Sequence, residues 1–411
     1  MREYRRVHGE STRGGVDTPI MTANAVVSPI PASQHRTESP TAVSTMVRLV
    51  RDSFAAVEPQ ADQVAQYFYG MLFSIEPSAR EMFPANMQVQ RSRLLRALVH
   101  FVQMVDRPDD LAPFLHQLGR DHRKFGVISS HYEAVGTALI AAVKRYAGPA
   151  WTDEVERAWA EAYTIMARTM LDAAAADEGP ASWPARVVDH ERLGWDLAVV
   201  RVQPDHPVPY LPGQYVSVEV PQRPRLWRYL TPANAPRTDG IIEFHVRSVD
   251  NGWVSRAIVA HTNIGDTWRI GPPMGRIGVN RKKDRDILMI AGGTGVAPMR
   301  AIIEHMAQWG QNPKVHLFNG GRKRDDLYDL PHLQNIAASN PWLTVTPVVE
   351  TEQGPGYEHG TLADIVTRNG PWADREVLVA GSPAMIRSTV SRMLVAGTPL
   401  DHITYDPFTL D

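Results

Sequence analysis

The sequence predicts a multidomain protein: an all-α domain, then an antiparallel β-barrel, then an α/β nucleotide-binding domain. Three observations lead to this prediction. Apolar residues recur at three-to-four spacing between residues 41 and 177. They alternate with polar residues between 183 and 277, and buried-type strands alternate with helices over residues 284–411. A chain of 411 residues has room for two or three domains of ordinary size.

The composition excludes several classes of chemistry. The formal net charge is −2, so nothing requires nucleic acid or an anionic membrane as a partner. The chain has no cysteine, which excludes disulfides, thiolate metal sites, Fe–S clusters and cysteine nucleophiles. Any redox chemistry must therefore come from a bound cofactor. No apolar run is long enough to predict a membrane span, and no signal peptide is evident, so we expect a cytoplasmic protein.

The N-terminal segment, residues 1–40, is rich in Ser, Thr, Pro and Gly and has neither helical nor strand periodicity. We expect it to be disordered. The sequence leaves open whether translation starts at Met1 or at Met21.

Helical patterns fill the first domain. The predicted helices cover residues 41–54, 61–73, 92–105, 111–123, 130–146 and 152–171. Near the end of the fourth helix, Leu118, His122 and Phe125 lie on one face because they are three to four residues apart. A neutral imidazole there can bind a metal. Taken alone, this pattern is more typical of a core histidine than of a ligand, so the surrounding motifs decide.

Strand patterns begin after a Gly- and Pro-containing linker at residues 178–182. The predicted barrel strands are 195–202, 215–220 and 241–247. In the third domain, the strand 286–291 runs into a glycine turn and the helix 299–308, which is a phosphate-binding arrangement. Further predicted strands at 315–322 and 343–349 extend this domain into repeated βα units.

Two motifs in the helical domain, Tyr67–Phe73 and His122–Phe125, resemble the second-helix and proximal-histidine motifs of the globin domain of flavohaemoglobins. The resemblance implies haem b, with His122 as the axial iron ligand. It also implies that Tyr69 and Gln90 donate hydrogen bonds to a diatomic ligand. By the same resemblance, Phe83 contacts the porphyrin, Leu94 narrows the pocket, and Tyr132 lies behind the proximal histidine. The residues themselves also fit a plainer interpretation, with polar Tyr69 and Gln90 at the surface and the apolar positions in the core.

Two positions depart from the family pattern. Asp121 precedes His122 where the family usually has Lys, and Ala173–Ala176 occupy the place where a Glu normally bonds to the proximal tyrosine. Outer-shell partners of this kind typically change affinity or activity by about 10–100-fold. We therefore expect His122 to be less electron-rich than in ordinary family members and oxygen activation to be slower.

The barrel region resembles the flavin domain of the ferredoxin-reductase superfamily, which implies FAD. Its Arg-x-Tyr-Ser motif aligns with Arg228–Thr231. By resemblance, Arg228 holds the pyrophosphate and Thr231 bonds to the flavin N5 edge. Leu230 replaces the stacking aromatic, unless Tyr229 takes that role. The remaining implied FAD contacts are Tyr215, Gly252, Val254 and Ser255. For Arg228, the alternative is a solvated surface charge.

The third domain resembles the NAD(P)-binding half of these reductases. Its nicotinamide nucleotide would lie on Gly293, Thr294, Gly295, Val296, Ala297 and Pro298. Ala380 replaces the cysteine beside the nicotinamide, Asp406 shortens an acidic residue of the tail, and Phe408 is the candidate flavin-shielding aromatic. The basic run 322–324 would favour NADPH through its 2′-phosphate, while a solvated turn in an NADH enzyme fits equally well.

The resemblance implies a nitric oxide dioxygenase that passes electrons from NAD(P)H through FAD to haem and converts nitric oxide and O₂ to nitrate. Its partners would be small molecules only, and we expect a monomer. The chain looks closest to the divergent, type II class, because Leu230, Ala380 and Asp406 all depart from the pattern around the nicotinamide–flavin contact. Two alternatives remain: another donor such as D-lactate feeds the same electron chain, or the protein is a haem gas sensor or carrier kept ferrous by its reductase half.

Overall fold

The computed structural model describes residues 40–250 and 252–406, with side chains from residue 44 onward. The predicted disorder of residues 1–39 and the role predicted for Phe408 lie outside the described residues. Within them, no helix combines the length and the apolar character needed to cross a membrane.

The first domain is all helical, as predicted. Its helices are α1 Pro40–Val57, α2 Ala61–Ile75, α3 Gln88–Met104, α4 Pro108–His122, α5 Ser129–Ala147 and α6 Asp153–Ala175. Helix α3 begins at Gln88 rather than at Ser92, which places Gln90 on the same helix as Leu94. Trp159 on α6 is 1% exposed, and its indole donates to the Ser53 hydroxyl over 2.9 Å.

A glycine determines how closely α4 packs on α6. A Cβ atom at Gly119 would lie 2.2 Å from the backbone oxygen of Met170. Because no larger residue fits, glycine allows the two helix backbones to meet. Thr152 caps the start of α6 by accepting the amide of Val155 over 3.2 Å. The last turn of α4, which ends at His122, is thereby held against α6.

The second domain is a nearly closed antiparallel barrel with one helix. Its elements are β1 Trp183–Arg192, β2 Leu197–Pro204, β3 Val216–Glu219, β4 Arg228–Leu230, β5 Ile242–Arg247, α7 Trp253–His261 and β6 Thr267–Ile270. The strand order is β4-β3-β6-β1-β2-β5, and a bridge between Pro232 and Phe244 brings the two edges together. The sequence did not predict β1, β4 or β6, and the last two are only three and four residues long.

The third domain is a parallel sheet with helices. Its elements are β7 Ile287–Gly292, α8 Val296–Met306, β8 Val315–Gly321, α9 Leu330–Ser339, β9 Leu343–Val349, β10 Glu358–His359, α10 Leu362–Arg368, β11 Glu376–Ala380, α11 Pro383–Val395 and β12 Ile403–Tyr405. The strand order is β10-β9-β8-β7-β11-β12. Strands β8 to β10 follow one another on one side of β7, and β11 and β12 lie on its other side, so the order of the strands switches between β7 and β11. Ligands of open α/β sheets bind at such a switch point, at the carboxyl ends of the strands.

Candidate functional site

His122 closes helix α4 with one ring nitrogen engaged. Its Nδ1 lies 2.7 Å from the carbonyl oxygen of Leu118, one turn earlier. A carbonyl can only accept, so Nδ1 carries the hydrogen and Nε2 keeps a free lone pair. Burial lowers the pKa of His122, which keeps the imidazole neutral. A neutral histidine with its tautomer fixed in this way is prepared to bind a metal through Nε2.

The predicted distal residues come from α2, from the turn after it and from α3. The buried Tyr69 hydroxyl donates to the backbone carbonyl of Gln90 over 3.4 Å. Burial raises the pKa of Tyr69 well above its usual range, so the phenol stays a neutral donor. The ring of Phe83 packs edge-on against those of Tyr69 and Phe73, with centroids 5.4 and 5.5 Å apart. Leu94 lies one turn beyond Gln90 on α3.

Tyr132 lies in α5 and is 9% exposed. Its backbone carbonyl accepts the hydroxyl of Tyr163 over 2.5 Å, and burial raises the pKa of its own phenol. The Nδ1 hydrogen of His122 goes to Leu118. The acid at the end of α6 takes another partner, since Asp177 pairs with Arg123 at 2.9 Å. Asp177 is therefore engaged elsewhere rather than completing the family's histidine–tyrosine–carboxylate link, and His122 bonds to a backbone carbonyl.

The predicted flavin motif forms β4 and pairs with β3. Arg228 lies opposite Val218, and Tyr229 lies opposite Ser217. Tyr229 is 38% exposed, and its ring meets that of Tyr215 edge-on with centroids 5.0 Å apart. Leu230 instead packs against the hydrophobic core of the barrel. Of the two candidates for the stacking aromatic, Tyr229 has the side chain available at the surface. Thr231, directly after β4, is half-buried.

The predicted phosphate cradle forms the start of α7. Gly252 is the N-cap, Val254 is fully buried, and the Ser255 hydroxyl donates to the Gly252 carbonyl over 3.2 Å. The same hydroxyl accepts the amide of Val249 over 3.3 Å. Ser255 therefore holds the turn closed, and the helix N-terminus supplies the backbone donors that an anion would meet.

The glycine turn fills the switch point of the sheet. Residues Gly293–Gly295 form a 3₁₀ turn between β7 and α8, and α8 begins with Val296, Ala297 and Pro298, all buried. Gly293 has φ +56°, and Thr294 is half-buried. A Cβ at Gly295 would lie 2.3 Å from the carbonyl oxygen of Ala380. The turn thus touches the end of β11, where the family places a cysteine.

Three family models match successive parts of the chain: globin over residues 66–170, oxidoreductase FAD-binding domain over 184–278, and oxidoreductase NAD-binding domain over 289–391. The flavohemoprotein of Chromobacterium violaceum is 24% identical over 392 residues, covering 88% of this chain and 96% of that protein. The flavohemoprotein of Deinococcus radiodurans is 28% identical over 369 residues, covering 81% and 86%. The chain belongs to the flavohaemoglobin family.

A solved flavohemoglobin from Malassezia yamatoensis, with bound FAD and heme, matches this flavohaemoglobin with a TM-score of 0.75 at 18% identity, covering 88% of this chain and 98% of that one. At that identity the match shows the shared fold alone. The ferredoxin–NAD(P)(+) reductase component of a naphthalene 1,2-dioxygenase/salicylate 5-hydroxylase system from Ralstonia is 31% identical over 232 residues, covering 55% of this chain and 70% of that protein. The three domains in order make this flavohaemoglobin an oxidoreductase that passes electrons from NAD(P)H through FAD to haem.

The residues present fit a haem. His122 offers a free Nε2, and the half-buried rings and methyl groups of Phe83 and Leu94 pack against the helical core. On α3, the Nε and Nη2 atoms of Arg96 are buried without a hydrogen-bond partner. A carboxylate of the cofactor would satisfy them, since an unpaired buried charge is costly.

Sequence reasoning missed the partner of Asp121 in this flavohaemoglobin. Lys124, which is 4% exposed, places its amine 2.5 Å from Asp121 and 2.8 Å from the hydroxyl of Ser217 on β3. Burial lowers the pKa of Lys124, and the charge of Asp121 opposes that effect. The acid that replaces the usual lysine is therefore neutralised within the same turn. The available signal was the spacing of three between an acid and a base at a helix end.

Asp406, directly after β12, bonds to the segment that follows the barrel. It is 3% exposed, and its Oδ1 accepts the amide of Arg276 over 2.9 Å, while Oδ2 is buried without a hydrogen-bond partner. Burial raises the pKa of Asp406 to about 6. A Cβ at Gly275 would lie 2.7 Å from Oδ2 and 2.8 Å from the ring of Tyr215. Asp406 therefore lies in the same tight corner as a predicted flavin contact.

Of the three basic residues at the end of β8, residues 322–324, two contact other groups among the described residues and one does not. Arg324 donates to the carbonyl of Gln353 over 2.8 Å and lies over the ring of Tyr357, and Lys323 lies 3.5 Å from Asp325. The side chain of Arg322 is exposed and has no partner among the described residues. Of the three, Arg322 is the one available to a phosphate.

Proposed function

We propose that this flavohaemoglobin is a nitric oxide dioxygenase that consumes nitric oxide and O₂ and releases nitrate, using electrons from NAD(P)H. Haem would supply an iron that binds O₂ when reduced. The proposal rests on a neutral His122 whose Nε2 is free, together with a buried, neutral Tyr69 phenol in the same helical domain.

On the distal side, the chain's own residues would orient and shield a diatomic ligand. The Tyr69 hydroxyl donates weakly to Gln90 at 3.4 Å, so it can exchange that bond for one to a ligand at little cost. A neutral phenol with a raised pKa donates hydrogen without ionising. The side chain of Gln90 would add a second donor, and Leu94 and Phe83 would exclude water.

In the reductase half, the described residues would hold two nucleotides. Arg228 would bind the FAD pyrophosphate together with the N-terminus of α7, and Thr231 and Tyr229 would contact the flavin ring. The turn at Gly293–Gly295 would receive the nicotinamide nucleotide at the switch point. Since Ala380 has no thiol or hydroxyl, it would give the nicotinamide only apolar contact.

A second candidate keeps the same electron chain but changes the donor, with D-lactate in place of NAD(P)H. The packing of Leu230 into the barrel core and the apolar Ala380 beside the glycine turn favour it. Both features weaken the polar and aromatic support that hydride transfer from a nicotinamide normally has.

The test begins with an absorption spectrum of the purified chain, which should show a Soret band and flavin absorbance. Stopped-flow mixing with NADH, NADPH and D-lactate then identifies the donor, and aerobic nitric oxide consumption with that donor tests the activity. Tyr69→Phe should slow consumption by about tenfold or more, while Tyr67→Phe, two residues earlier on α2, should not. If the reduced haem binds O₂ but the protein does not consume nitric oxide catalytically, its function would instead be that of a sensor or carrier.

A further inference from the structure

Trp227 lies between the globin domain and the barrel, directly before the flavin strand β4. It is 5% exposed. The amine of Lys124 lies 4.9 Å from the centre of its ring, and the guanidinium carbon of Arg269 on β6 lies 5.1 Å from it. The ring of Phe125 meets Trp227 edge-on with centroids 6.0 Å apart. One indole thus contacts cations from both domains.

Lys124 of the globin domain and Arg269 of the barrel are also joined by a hydrogen bond across the domain boundary. Arg269 donates to the backbone carbonyl of Lys124 over 2.8 Å and pairs with Glu219 at 2.9 Å. Lys124 reaches Ser217 from the globin side. A Cβ at Gly271 would lie 2.2 Å from the Ser217 hydroxyl and 3.3 Å from Lys124, so the surfaces fit without spare room.

The segment that carries Trp227 contacts the haem domain on a second side and also leads into the flavin motif. Arg225, two residues earlier, donates to the carbonyl of Phe83 over 3.4 Å. Arg228, the next residue, donates to the carbonyl of Trp227 over 2.9 Å. On the globin side, Phe125 lies edge-on to His122 with centroids 6.0 Å apart. His122, Phe125, Trp227 and Arg228 therefore form an unbroken series of contacts.

We propose that Trp227 is a positioning residue for electron transfer from flavin to haem, because it fixes the turn after His122 against the strand that begins with Arg228. Tunnelling between two cofactors slows steeply as they separate, so loosening this contact slows haem reduction without changing flavin reduction. The inference rests on the electron chain of the proposed function and adds the residue that sets its geometry.

The experiment uses the full chain loaded with haem and FAD. Trp227→Leu should reduce the rate of haem reduction by the reduced flavin about tenfold, with the rate of flavin reduction unchanged. Hydrogen exchange of the backbone amides over residues 118–128 should be faster, which is a readout independent of activity. Trp309→Leu is the matched control: Trp309 also carries a cation over its ring, Arg281 at 4.5 Å, but belongs to the nucleotide-binding domain.

Arg269→Gln is the second variant, because its side chain is 46% exposed and the change keeps Trp227 in place. It should slow haem reduction less than Trp227→Leu does and should also speed exchange over residues 118–128. The inference would be overturned if both variants reduced haem and exchanged amide hydrogens at wild-type rates. If Trp227→Leu does not fold, wild-type rates in Arg269→Gln alone would overturn it. Normal haem reduction without nitric oxide consumption in the wild type would instead count against the proposed function.

Discussion

His122 donates its Nδ1 hydrogen to the carbonyl oxygen of Leu118 over 2.7 Å. A neutral carbonyl polarises the imidazole less than a carboxylate does, so the axial ligand of this flavohaemoglobin should be weakly electron-donating. This bond replaces the link through Tyr132 that the family motif implies, and it sets the first prediction.

Tyr132→Phe should leave the iron–histidine stretching frequency of the reduced haem unchanged, because His122 takes its hydrogen bond from α4 itself. Resonance Raman spectroscopy measures that frequency, and its value should be typical of a neutral imidazole. A high, imidazolate-like frequency in the wild type, or a clear shift in Tyr132→Phe, would contradict the prediction. Tyr163→Phe serves as a control: it should lower stability by about 1 kcal/mol without moving the frequency.

Gly295→Ala should impair the nucleotide site. The new Cβ would lie 2.3 Å from the Ala380 carbonyl, so the turn must shift. We expect a loss of about 1–3 kcal/mol of unfolding free energy and a rise of about tenfold or more in the KM for the nicotinamide. Gly310→Ala is the matched control, because a Cβ there meets nothing within 4 Å. Equal kinetics in the two variants would show that the turn does not bind the nucleotide.

Asp406 should make stability depend on pH in an unusual direction. Its folded-state pKa is raised from 3.8 to about 6, so between these values the folded protein binds more protons than the unfolded chain. Stability from this group is therefore present at low pH and is lost as the pH rises from about 4 to 6. Asp406→Asn, which keeps the acceptor for the Arg276 amide, should raise stability at pH 7 by about 2 kcal/mol.

Thermal unfolding of the haem- and FAD-loaded protein between pH 5 and pH 7.5 measures the effect. The difference between Asp406→Asn and the wild type should grow toward pH 6 and stay constant above it. A variant that is less stable than the wild type at pH 7 would mean that the carboxylate has a partner that only the bound cofactors supply.

Arg322→Ala should lower the affinity for NADPH more than that for NADH. Arg322 is the free cation of its turn, and a charge-assisted bond to a 2′-phosphate should change the KM for NADPH about tenfold. Steady-state flavin reduction with both nucleotides gives the ratio. Arg324→Ala is a poorer phosphate test, since Arg324 already bonds to Gln353 and stacks on Tyr357. An unchanged NADPH-to-NADH ratio would make Arg322 a solvated turn residue.

The sequence predicted the fold class well because periodicity records burial directly. The 3.6-residue pattern predicted the six helices of the first domain, and the apolar runs predicted the strands β7, β8 and β9. It missed β1, in which buried and exposed residues alternate only over the first half. It also failed at β4 and β6, since three or four residues are too few to show a period of two. The start of α8 was also misplaced, because Pro298 reads as a break although a helix tolerates it in the first turn.

The sequence by itself determined the domain order, the cofactor classes and the candidate positions, because each depends on motifs that are local in the chain. Only the tertiary structure decided which atoms meet. It brought the amine of Lys124 to the hydroxyl of Ser217 and placed Trp227 between cations from two domains. Lys124 and Ser217 are 93 residues apart, and no local pattern encodes a contact that exists only once two domains have packed.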